Sequence, residues 1–409
     1  MGLKLFGIRK TTSAASVVLM TMMLVFPVKL YYVKIVLLVF LLLSLYKEVY
    51  ISKDVRFLCG ALCLSTLWGL FVGAIKGTPN PFANITVGML WPLLSLFIVL
   101  PQLKQREDFN KLLTVLFYIH TFIVFYDVLF ALHIIWDFPF YNLYPEVEIG
   151  FSYYGTSSRL NLDDNLSVLT FTIPVYFLVW LSKYEINVSR IVQTIVVFVS
   201  FFLLILSGRR VLVLVFILTP IMVIFLRRFF PKKTVSTVRV LLIIFVVLIV
   251  AIFIYMQANY PEIIEGYTKS FFNAFDEDEE SVRFVQSRML MEHFNESPLC
   301  GEGTGAVFYE PGRGYKSQFE LSYLLIPATQ GFIGFTFYLI GIVGVLFIGY
   351  KHLLQSKDPI LLLFLYGYGF ILLAHATNPI LSSFDLMLPL YFCYAKINSL
   401  ALGFQPNRL

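Results

Sequence analysis

Apolar residues gather in twelve runs along this chain, at about 12–28, 33–46, 57–75, 84–101, 112–135, 165–182, 191–206, 211–226, 239–257, 319–350, 359–376 and 386–403. About 20 residues of helix cross a bilayer core, so each run predicts one membrane-spanning helix. Several are short for a perpendicular crossing, which predicts tilt or local thinning. A β-barrel would show alternating segments of roughly 10 residues, and that pattern does not occur. The expected fold class is all-α: a polytopic helical integral membrane protein with about 12 transmembrane helices in a single membrane domain, residues 1–409.

Two polar stretches interrupt the runs, at 136–164 and 258–318. Neither is large or apolar enough to hold much core of its own, and short helices are expected in the second. The run 319–350 exceeds one perpendicular helix and contains Pro327 and Gly331. It predicts either an interfacial helix over 319–331 followed by a span from 332, or one kinked and tilted helix.

Composition agrees with this pattern. Of 409 residues, 58% are hydrophobic and 14% charged, against about a quarter charged in soluble domains. Lys4, Arg9 and Lys10 precede the first run as in a signal peptide, but no small-x-small cleavage site follows. The run is expected to stay as the first span. Cys59, Cys63 and Cys393 lie in apolar runs and only Cys300 in a polar one, so no disulfide is expected, and zinc spacing is absent.

The net charge of +6 is distributed as an orientation signal, not as a nucleic-acid surface. Basic residues crowd alternate loops, such as Lys47/Lys53/Arg56, Lys104/Arg106/Lys111 and Arg227/Arg228/Lys232/Lys233. The positive-inside rule assigns these loops to the cytoplasm. Both termini are then cytoplasmic. Segments 136–164 and 258–318, with the turns 207–210 and 377–385, face outside. The turn carrying Lys29 and Lys34 is the one exception.

Candidate chemistry follows from what lies outside. Ser207-Gly208-Arg209-Arg210 joins two runs with almost no loop, placing two arginines at the outer boundary. Charge there is costly, and guanidinium binds phosphate bidentately, so Arg209 and Arg210 are candidates to grip a lipid-linked phosphate. Snorkelling toward ordinary headgroups is the plainer alternative.

Residues 281–294 are helix-like, with Val282, Val285 and Met289 on one stripe and Arg283 and Arg288 beside it. Arg288 has Glu292 at i+4, the spacing of a surface ion pair. Arg283 has no local partner and is the better candidate. Gly301-Glu-Gly-Thr-Gly305 reads as a turn, since no strand precedes it and no Lys-Ser/Thr follows. The acidic run Asp276–Glu280 reads as solvated, and no metal is assigned.

Arg159 remains exposed on the outer side, while Asp164 or Asn165 is placed to cap the next helix. His120, His133, His293 and His375 read as hydrogen-bonded structural histidines. Glu320 sits at the mouth of an apolar run, where partial desolvation would strengthen it as a general base; the plainer alternative is that it is simply the first solvated residue before a span.

Taken together, these residues resemble the O-antigen polymerase and ligase family (polymerases of the Wzy type, ligases of the WaaL type). Ser207-Gly-Arg209-Arg210 is similar to that family's Ser-x-Arg turn. Arg283 and Pro298-Leu-Cys-Gly-Glu-Gly303 resemble its Arg…Pro-x-x-Gly-x-Gly segment. Glu320-Leu-Ser-Tyr323-Leu…Gly331-Phe-Ile-Gly334 resembles the block that in ligases begins His-Asn-x-Tyr-Leu. Arg159…Asp164-Asn165 resembles its Arg…Pro-Asn segment. The likeness covers roughly 155–350. Glu320 stands where ligases carry histidine, which favours the polymerase.

The resemblance implies an inverting glycosyltransferase, independent of metal and cofactor, at the outer face of a bacterial cytoplasmic membrane. Its donor would be a glycan on undecaprenyl diphosphate and its acceptor a lipid-linked repeat unit. A chain-length regulator and membrane lipid are implied partners. Glu320, Arg210 and Arg283 would be catalytic. Arg159, Arg209, Arg288, Asn165 and Tyr323 would bind substrate. A flippase is the rival from another class, but transporters gather polar residues at the midplane. Here the spans are nearly free of charge, Asp127 being the one candidate midplane acid.

Overall fold

The computed structural model describes residues 2–27, 29–82, 85, 89–136, 139–140, 143, 151–154, 157–160, 166–207, 210–230, 232–259, 261, 282–310, 314–317, 319–376 and 380–403. It is dominated by helices and divides into two compact units, Met1–Ile119 with Val282–Leu409, and His120–Ser281. Among the described residues three helical stretches are long and apolar enough to cross a membrane: Lys53–Lys76, Arg106–His133 and Ser322–Ser356. Five shorter apolar helices accompany them.

The first unit holds α1 (Gly2–Val25), α2 (Tyr31–Leu45), α3 (Lys53–Lys76), α4 (Trp91–Gln102) and the start of α5 (Arg106–Trp136). After the second unit it resumes with α10 (Val282–Glu296), α11 (Ser322–Ile342), α12 (Gly344–Ser356), α13 (Pro359–His375) and α14 (Leu388–Ala401). Helices α13 and α14 are buried almost all round, α13 as a uniformly apolar helix must be and α14 with Lys396, Asn398 and Ser399 among its buried residues. Asp358 caps α13 by accepting from the amides of Ile360 and Leu361, and Pro359 follows at the first helical position.

The expectation of nearly charge-free spans needs correction here. Lys396 on α14 is buried, pairs with Asp358 at 2.9 Å and lies 4.5 Å over the Phe109 ring. Lys34 on α2 is likewise buried, pairing with Asp385 at 3.0 Å and donating to the Phe26 carbonyl at 2.7 Å. Each cation is tolerated because a carboxylate sits against it. Lys34 is therefore neutralised within the protein, which explains why it is an exception to the charge pattern of the loops.

The second unit contains the rest of α5, a hairpin of β1 (Phe151–Tyr154) and β2 (Ser157–Leu160), α6 (Leu166–Ser182), α7 (Arg190–Ser207), α8 (Arg210–Phe225) and α9 (Lys232–Asn259). Helix α6 packs on α7, α8 and α9. His120 is buried against it, with Nδ1 2.9 Å from Thr172 Oγ1 and Nε2 3.1 Å from Ser200 Oγ. Both ring nitrogens are thus engaged, as a structural histidine requires.

Strands are the departure from an all-α fold. Besides β1–β2, the stretch expected to contain short helices also holds an antiparallel hairpin of β3 (Phe308–Glu310) and β4 (Gly314–Lys316). Phe308 and Glu310 are buried while Tyr309 between them is exposed, which is the period of a half-buried strand.

Candidate active site

The candidate site is built on a break in α11. Pro327 lacks an amide hydrogen, and Gly331 adopts φ 61°, ψ −172°, a conformation essentially restricted to glycine. Such a break frees carbonyls on one side and amides on the other. The segment after α10 occupies both. Glu302 N–H donates to the Ala328 carbonyl at 2.9 Å and Gly303 N–H to that of Thr329 at 2.7 Å. The Trp68 indole donates to the Gln330 carbonyl at 3.0 Å. In return Phe332 N–H donates to Pro298 and Ile333 N–H to Leu299. The polar segment is stitched by its backbone into a membrane helix.

The glycines make this approach feasible. Gly303 has φ +90°, and a Cβ there would lie 2.3 Å from Gly73 Cα. Gly69 and Gly73 open a groove along α3, and Thr304 N–H donates to the Gly69 carbonyl at 2.9 Å. Lys76 closes the clasp, reaching Ser297 and Glu302 at 2.9 and 3.1 Å. The Gly301–Gly305 stretch is therefore a packing turn, as its sequence context indicates.

This clasp fixes α10. Its buried stripe is Gln286, Met289 and Leu290, one position round from the expected Val282/Val285/Met289, with Val285 only half-buried. Met289 and Leu290 join Ala306, Phe308, Phe319 and Ala328 in a small core. Leu321, Leu324 and Leu325, at and just inside the start of α11, complete it. His293 packs its ring 4.7 Å from Phe308 and has Nδ1 3.2 Å from Glu296 Oε2, a structural placement.

One expectation is corrected at the end of this helix. Arg283 does have a partner: its Nε donates to Glu320 Oε2 at 3.0 Å. The two lie 37 residues apart, so no local spacing announces the pair. Phe319 takes the buried place beside Glu320, whose side chain is 44% exposed. Arg288 pairs with Glu292 at 3.2 Å on the surface, the plainer of its two readings. Tyr323 donates its hydroxyl to the Leu372 carbonyl at 3.0 Å and presents its ring to His375. His375 accepts at Nδ1 from Leu381 N–H, and its Nε2 lies 2.7 Å from Tyr338 Oη.

Gln286 is the residue that sequence reasoning missed. It is buried, donates to Glu310 Oε1 at 3.1 Å and accepts from Glu320 N–H at 3.3 Å. One side chain thus ties α10, the hairpin and the start of α11, one helical turn from Arg283. Its only sequence signal is a polar residue on an apolar stripe. Gln286→Ala is expected to lower stability by about 1–3 kcal/mol, the cost of stranding buried polar groups. Thermal unfolding of the purified protein measures this.

Arg283, Arg288, Glu320 and Tyr323 belong to the first unit. In the second unit Arg210 opens α8 and Arg159 lies in β2. The side chains of Arg159 and Arg210 lie outside the described residues, as do Arg209, Asn165 and the acidic run Asp276–Glu280. Among the described residues no cluster of His, Cys, Asp or Glu is placed to hold a metal ion.

Chemically, Arg283 and Glu320 offer an accessible cation and an accessible carboxylate on a rigid base. A family model described as O-antigen ligase matches residues 195–348. The matched stretch contains residues 207–210, α10, the glycine turn and the start of α11. Arg159 and Asn165 fall before it. No curated protein matches the chain.

Proposed function

We propose that this chain is a polysaccharide polymerase of the outer face of the bacterial cytoplasmic membrane. It transfers a growing glycan from undecaprenyl diphosphate onto a lipid-linked repeat unit. The observation that carries this reading is the Arg283–Glu320 pair. It is exposed, held by a buried scaffold, and lies within the stretch similar to O-antigen ligases.

The acceptor hydroxyl oxygen attacks the anomeric carbon of the donor sugar. The bond from that carbon to the diphosphate oxygen breaks, and undecaprenyl diphosphate leaves with the bonding electrons. The hydroxyl proton passes to Glu320. A diphosphate is already a weak base, so no general acid is needed, and guanidinium groups stabilise the charge that builds on it.

Before substrate arrives, Arg283 occupies Glu320. A diphosphate carries more negative charge than one carboxylate and competes for the guanidinium, freeing Glu320 to take the proton. Arg210 is also assigned to diphosphate, with Arg209, Arg159 and Arg288 as supporting candidates. Asn165 and Tyr323 are assigned to substrate binding. The reading keeps about 12 spans, both termini cytoplasmic, 258–318 as the external catalytic loop, 136–164 as a second external loop and 319–331 lying at the interface. Neither metal nor cofactor takes part, and a chain-length regulator is the expected partner.

The ligase is the second reading, favoured by the description of the matching family model. The two separate on a glycan gel of cells lacking the protein. Single-repeat products mark a lost polymerase, and long chains accumulating on undecaprenyl mark a lost ligase. The direct test incubates purified protein with a defined lipid-linked repeat unit and sizes the products. A ladder of multiples is expected; unchanged substrate overturns the proposal.

A further inference from the structure

The β3–β4 hairpin carries a feature that the proposed chemistry leaves unused. Tyr309 and Tyr315 sit directly opposite each other on the two strands, with ring centroids 5.3 Å apart and planes at 61°. They are 56% and 76% exposed, while Phe308 and Glu310 on either side of Tyr309 are 2% exposed. Two adjoining exposed rings on a polar segment present a small apolar patch with polar tips.

The hairpin beneath them does not shift freely. Phe308 packs on Phe319 at 5.9 Å, next to Glu320, and Glu310 is joined through Gln286 to the Glu320 amide. Lys316 lies 3.8 Å from Glu310, crossing the strands on the inner side. The outward rings are therefore fixed relative to the Arg283–Glu320 pair.

We infer that Tyr309 and Tyr315 form a stacking platform for a pyranose of the glycan substrate. The inference deepens the proposed function and rests on it. A pyranose presents a face of C–H bonds rimmed by hydroxyls. A tyrosine presents an apolar face with a hydroxyl at its tip, which matches both parts. Two rings at an angle form a corner, which grips a sugar ring on two sides and limits its orientation. Continuity with Glu320 through Gln286 favours a sugar over a lipid headgroup. The diphosphate would be held by arginine, and the sugar by the hairpin.

The probe is the water-soluble oligosaccharide freed by mild acid from the cell's own lipid-linked repeat units. It is offered to purified protein in nanodiscs and read by saturation-transfer NMR. Transfer to pyranose C–H protons is expected with wild type, the probe carrying no phosphate. The Tyr309→Ala/Tyr315→Ala protein should bind it roughly tenfold or more weakly. The double tryptophan variant should restore binding, as stacking requires. Tyr315→Ala alone serves should the double variant unfold.

Unchanged binding by the double alanine variant overturns the platform and leaves the proposed reaction standing. Quenching of these rings by brominated lipid, with sugar binding unaffected by their loss, also overturns it and marks them as headgroup anchors. No binding by wild type overturns the platform. The reaction itself falls separately, if Arg283→Ala yields normal products from the lipid-linked donor.

Discussion

An Arg283→Ala protein folds, inserts and forms no polymer. Both halves of this expected result follow from exposure. The Arg283 and Glu320 side chains are 53% and 44% exposed. Solvent screens such a pair, which contributes about 1 kcal/mol at most to stability. A guanidinium stabilising a leaving diphosphate is a different matter, since removing one such donor slows a reaction by roughly 10²–10³-fold. Product sizing should therefore collapse while thermal unfolding moves little. Glu320→Gln, which keeps the shape and removes the base, should slow transfer by roughly 10²–10⁴-fold. Wild-type product lengths from either variant would remove that residue from the mechanism, whereas a large loss of stability would make the pair a structural one.

Gly303→Ala is expected to do the opposite, ruining assembly without touching a chemical group. The added Cβ meets Gly73 Cα at 2.3 Å and Gly73 N at 2.4 Å, both backbone atoms that cannot swing aside. The residue must also hold φ +90°. Overpacking and strain together should cost about 3 kcal/mol or more. The purified variant should unfold at markedly lower temperature, or fail to elute as a single species in detergent. Ala at Gly77, where a Cβ meets nothing within 4 Å but φ is +67°, isolates the strain alone. A Gly303→Ala protein as stable as wild type would show that the clasp between α3 and α11 is loose.

How much of this was legible depends on distance along the chain. The helices were, because hydropathy is local and each run folds on itself. So was the interruption at Pro327 and Gly331, although what fills it was not. The Gly69-x-x-x-Gly73 spacing in α3 was available as a close-approach signal, and it receives a turn's backbone instead of another helix. The hairpin was also available, from Pro311-Gly312 between two short stretches containing Phe and Tyr. Reading the stretch as helical missed it.

The long-range pairings had no such signal. Arg283 finds Glu320 across 37 residues, and Gln286 serves two elements at once. Arg288 shows the converse, since its neighbour Glu292 was visible by spacing alone and is its partner.

Lys34 and Asp385 are 351 residues apart and both almost fully enclosed. During synthesis the lysine reaches the bilayer long before its counter-charge exists. Until Asp385 emerges, only the nearby Phe26 carbonyl is on hand to meet the ammonium. Asp385→Ala should thus strand an enclosed ammonium and cost about 3–5 kcal/mol, far more than loss of an exposed pair, as thermal unfolding would measure.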